Sequence, residues 1–130
     1  MEVMDADLRK EFRKYQRILR LNFNGGLKEL KRWQDVYPRA CFGFSGVITD
    51  ESRRHPQTMD VLAALPLDRI LLESDSPEHL ATAFYGREEF NTPYWVEEVA
   101  HCISLAKNLS LHAVIEQCNA NARSLYRMYL

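Results

Sequence analysis

Three consecutive apolar residues, Ile70, Leu71 and Leu72, stand between the charged pair Asp68-Arg69 and the polar run Glu73-Ser74-Asp75-Ser76-Pro77. An apolar run without alternation fits a strand covered on both faces, as in parallel sheets flanked by helices. Carboxylates and hydroxyls just beyond the C-terminal end of such a strand sit where parallel α/β folds place their reactive groups. Glu73 and Asp75 are two apart, so in extended backbone they share a face and both can address one cation or one water. Asp followed by Ser-Pro is equally a turn sequence, and the run alone names no chemistry.

The rest of the chain repeats the strand-then-helix pattern. Residues 5–16 open on Asp5 and continue as a charged helical stretch with few apolar positions. Residues 17–23, RILRLNF, alternate as a strand and stop at Gly25-Gly26. A helix follows with Leu27, Leu30 and Trp33 three apart, ending before Pro38. ACFGFSGVIT, residues 40–49, reads as a second strand, in which Gly43 and Gly46 indicate close backbone approach or a change of direction. PQTMDVLAAL is a short helix with Pro56 at its first position. Beyond the third strand, residues 76–91 form a long loop of the kind that is usually functional. Thr92 and Pro93 start one closing helix with Val96, Val99, Ile103 and Ala106 on one face. Ser110 caps another, with Leu111, Val114, Ile115, Cys118, Ala122 and Leu125 recurring at helical spacing. The expectation is a single α/β domain over residues 1–130, built on three parallel strands.

Charge and cysteine content narrow the setting. Residues 1–40 hold 10 Lys/Arg against 6 Asp/Glu, and the remainder 7 against 12, which places the basic character near the first helices. A solvated helix face accounts for this, although a phosphate-bearing substrate would also favour that end. Cys41, Cys102 and Cys118 lack C-x-x-C spacing and read as reduced, mostly buried thiols. No apolar run long enough for a bilayer occurs, and residues 1–12 are too charged for a signal peptide, so no membrane partner and a cytoplasmic location are expected.

Four segments in register resemble one family. LDRILLESDSP resembles the LDRLLLETDSP segment of the TatD-related metal-dependent hydrolases, and FGFSGVIT resembles the FSGVIT strand upstream of it. LNFNGGLKELKRW is similar to the family's HCFSG segment and its helix, and residues 90–126 follow its closing N-x-P…NA-x-x-LF pattern. The resemblance spans residues 18–128. It implies the last three strands and helices of a TIM-like (β/α) barrel, a divalent metal (Mg, Mn or Zn), and a nucleic-acid or other phosphodiester substrate. It makes Asp75 the catalytic metal ligand, placed to accept a proton from metal-bound water, with Glu73 orienting the site. It puts Ser45, Gly46, Ser76 and Asn91 at the substrate cleft, with Pro93 framing the loop.

The departures have chemical weight. Where the family's HCF segment carries a metal-binding histidine, this chain has Leu21 followed by Asn22. The family's H-x-H pair, its glutamate and its other histidine would precede residue 1, so Asp75 is the one ligand the resemblance leaves. His55, His101 and His112 read as surface or packing residues, whereas His79, four residues after Asp75, can reach the cleft from the long loop. Trp33, Trp95 and the tyrosines read as core and interface aromatics rather than a base-stacking set. Two expectations follow. One is part of a metal-dependent deoxyribonuclease or phosphodiesterase. The other is a catalytically inactive, truncated remnant without a metal, serving as an interaction module. In either case the sheet edges are expected to be covered by a missing N-terminal half or by a second copy.

Overall fold

The computed structural model describes residues 6–74 and 96–126. Helix α1 spans Ala6–Tyr15, strand β1 Leu19–Arg20, helix α2 Leu27–Val36, strand β2 Cys41–Phe44, helix α3 Thr58–Ala64, strand β3 Ile70–Leu72, helix α4 Val96–Lys107 and helix α5 Leu111–Tyr126. The strands form one parallel sheet in the order β1-β2-β3, with Leu19 opposite Cys41 and Phe42 opposite Ile70. This is the α/β arrangement that the apolar run and the alternation of elements imply.

Being central, β2 is buried along its whole length. Strand alternation sends Phe42 and Phe44 to one face with Ile70 and Leu72, and leaves Gly43 and Leu71 for the other. On the first face, Phe23 meets the Phe42 ring edge-on at 5.0 Å and the Phe44 ring at 6.2 Å. Leu62, Ile103 and Val114 join the same cluster, so α3, α4 and α5 all cover this face.

The structure shortens several expected elements. The second strand stops at Phe44, because Ser45 caps a 3-10 turn at Gly46–Thr49 through its hydroxyl, which accepts the Val47 N–H. Helix α3 starts at Thr58 rather than at Pro56. The ring Nδ1 of His55 accepts the Gln57 N–H at 3.0 Å and the His55 carbonyl accepts that of Thr58, which holds Pro56 in the preceding turn. Ser110 caps α5 as expected, its hydroxyl taking the Ala113 N–H at 3.1 Å.

Asn121 sits on the buried face of α5. Its amide donates to the carbonyls of Leu67 and Ile70, both at 2.8 Å, and its oxygen accepts from Gln117 at 2.8 Å. The helix is thereby tied to the start of β3. All three cysteines are free, and burial pushes the Cys118 thiol up to about 12, which keeps it neutral in the core. Among the described residues no helix is long and apolar enough to cross a membrane.

Candidate functional site

The C-terminal ends of the three strands lie side by side, and their last residues are fixed by bonds between strands. Ile18 accepts the Cys41 N–H at 2.7 Å, so continuing the register would put the Asn22 N–H on the Gly43 carbonyl. The Phe23 N–H makes that bond instead, at 2.8 Å. One extra residue is therefore accommodated at Leu21-Asn22, and Asn22 takes a left-handed φ of 46°. This bulge returns Phe23 to the core and turns Leu21 outward, where it is 57% exposed. The position at which the resemblance expects a histidine thus carries a solvent-facing hydrocarbon.

Ser45, at the end of β2, is 0% exposed. Its hydroxyl donates to Asn22 Oδ1 at 2.6 Å and caps the following turn, so it joins the ends of β1 and β2 from inside the fold. Gly46 is buried next to it.

Glu73 follows β3, its N–H bonded to the Phe44 carbonyl at 3.0 Å. Its carboxylate crosses to the neighbouring strand and lies over Gly43, where an added Cβ would come within 2.0 Å of Oε2. Gly43 is the close approach that its place in the strand indicates, and the side chain it admits is one of the expected site carboxylates. Asp75, Ser76, His79, Asn91 and Pro93 lie outside the described residues.

Beside this sheet end, a cleft of about 780 Å³ opens along α2. Lys28, Arg32, Trp33, His55 and Gln57 are among the residues that line it. Its floor is stapled together: Asn24 accepts the His55 N–H at 2.9 Å and donates to the Arg53 carbonyl at 3.1 Å, while Gln57 Oε1 caps the first amide of α2 at 3.0 Å. Gly26 permits this, since a Cβ there would meet Gln57 at 2.5 Å and His55 at 2.6 Å. In the loop leading to His55, the Ser52 hydroxyl and amide, and then Arg53, hold the Asp50 carboxyl below its ordinary range. His55, which the sequence marks as a surface or packing residue, holds the turn before α3 through its ring and also lines the cleft. Only its place just before Pro56 could have signalled this. His101 and His112 are exposed on α4 and α5, and Trp33 packs against the core with Arg20 5.9 Å from its ring centre.

Among the described residues, no group of three or more His, Cys, Asp or Glu is placed to hold a metal ion. A divalent hydrolytic centre takes about three or more protein ligands plus an open position. These residues therefore do not fit such a metal by themselves.

The family model for TatD related DNase matches residues 2–127. The chain is 31% identical over 88 residues to the 3'-5' ssDNA/RNA exonuclease TatD of Erwinia billingiae, covering 66% of this chain and 33% of that protein. It is 31% identical over 85 residues to the uncharacterized metal-dependent hydrolase YcfH of Escherichia coli, covering 65% and 31% of the two. The chain spans about a third of the length of these relatives. Among solved structures it superposes on YJJV, a TatD homologue from Escherichia coli, with a TM-score of 0.71 and 25% identity, covering 83% of this chain and 39% of that one. A TatD family hydrolase from Entamoeba histolytica superposes with a TM-score of 0.70 at 18% identity, covering 95% and 47%.

Proposed function

Because the chain belongs to the TatD related DNase family, we propose that it forms the last three strands of a cytoplasmic metal-dependent hydrolase barrel whose substrate is single-stranded nucleic acid. The family membership carries this reading, and the parallel sheet with Glu73 at its C-terminal end supports it. In it, Asp75 is a metal ligand, Glu73 orients the site, and Ser76, Asn91 and His79 lie along the substrate path. The outer edges of β1 and β3 pair with further barrel strands or with a second copy. Lys28 and Arg32 on the rim of the α2 cleft meet the phosphates of the strand.

Leu21 favours a second element of the same reading: these residues bind nucleic acid without cleaving it unless ligands are supplied from beyond those described. The test is fluorescence anisotropy with a single-stranded oligonucleotide, run beside a cleavage assay in manganese or zinc. Binding that Lys28→Gln with Arg32→Gln weakens by about tenfold, with a shallower salt dependence, is expected, and no cleavage. Cleavage that disappears in Asp75→Ala would show a complete site. Absence of any binding would remove the nucleic-acid reading.

A further inference from the structure

The opposite end of the sheet holds a second concavity of about 410 Å³, whose lining includes Arg17, Arg39, Asp68, Arg69, Gln117 and Ser124. The three arginines come from separate parts of the chain, yet each stands one or two residues before a strand. Parallel pairing of Leu19 with Cys41 and of Phe42 with Ile70 brings those three positions to one edge of the sheet. Arg17 is held there by donating to the Ser124 carbonyl of α5 at 2.5 Å, and Arg39 by stacking 5.9 Å from the centre of the Tyr15 ring. Arg69 and Cys41 both line the pocket.

None of the three guanidinium groups is in an ion pair with a carboxylate of the described residues. Among the described residues, three cations against the single Asp68 leave the pocket with two positive charges in excess, and planar guanidinium forks match phosphate oxygens. Gln117 and Ser124 add neutral hydrogen-bonding groups beside them. We propose that this pocket binds the doubly charged phosphate group of a small phosphorylated molecule. The site is separate from the C-terminal ends of the strands, and it stands whether or not the chain takes part in hydrolysis.

Calorimetry on the full chain, in chloride buffer, tests the assignment with three probes: inorganic phosphate, a nucleoside monophosphate and the same nucleoside without phosphate. Saturable one-to-one binding of the first two is expected, with the nucleoside silent. Arg39→Gln and Arg69→Gln are each expected to weaken it by about tenfold or more, since each removes a charge-assisted contact. Lys31→Gln, on α2 away from the pocket, is expected to leave it unchanged. Arg39 is exposed, so its variant keeps the fold, which an unchanged melting curve verifies. The two phosphate arms show whether free phosphate suffices or an attached group adds affinity. The proposal is overturned if neither phosphate probe saturates, if the nucleoside binds equally, if both arginine variants bind as the parent does, or if an oligonucleotide without terminal phosphate displaces the probe.

Discussion

Phe42→Ala is expected to lower the unfolding free energy by about 3–5 kcal/mol, because it removes a ring from the centre of the core and leaves a cavity that the neighbours cannot close. Phe42 is fully buried on the central strand, pairs across the sheet with Ile70 and meets the Phe23 ring at 5.0 Å. Relaxation is limited because Phe23 is itself pinned by its N–H bond to Gly43. Domains of this size have only about 5–15 kcal/mol to lose, so the variant should unfold at much lower urea. Phe42→Leu, which keeps most of the volume, should cost less than half as much. A loss below about 1 kcal/mol for Phe42→Ala would mean that the ring is not packed as described.

Asn121→Ala should destabilise by about 2–4 kcal/mol through a different cause. Removing the amide strands the buried Ile70 carbonyl, which carries a desolvation penalty, and takes a second donor from the half-buried Leu67 carbonyl, which keeps the Ile70 N–H. Gln117→Ala deletes only the donor to Asn121 Oδ1 and should cost about 1 kcal/mol or less. The comparison of the two by urea unfolding separates the anchoring of α5 on β3 from a general loss of helix polarity. Equal costs would contradict the anchor. Under the proposed function the bond also bears on the site, because Glu73 follows the far end of β3.

Much of this was legible in the sequence because it is local. The Ile70-Leu71-Leu72 run gave β3, and the spacing of Val114 and Cys118 gave the buried face of α5. Asn121 falls three residues after Cys118 on that same face, but periodicity tracks apolar residues and passes over a polar one whose partners are backbone carbonyls far away in the chain. The bulge at Leu21-Asn22 was not legible, since it depends on which β2 carbonyl the Phe23 N–H reaches. Ser45 looked like a strand residue near a cleft; its role in joining Asn22 to the Val47 turn exists only once β1 and β2 are side by side. The arginine pocket did leave a trace, a basic residue shortly before each strand, but only the parallel register makes the three converge. Family motifs supplied an expectation for the chemistry of the site that composition could not, and Leu21 marked a departure from it.

The most direct test of the account is the metal content of the purified chain after loading with manganese or zinc and exhaustive dialysis. Far less than one equivalent should be retained, with Asp75→Ala indistinguishable from the parent, because the described sheet end offers no set of three ligands. One tightly held equivalent that is lost in Asp75→Ala would contradict it and show that the chain completes a metal centre on its own.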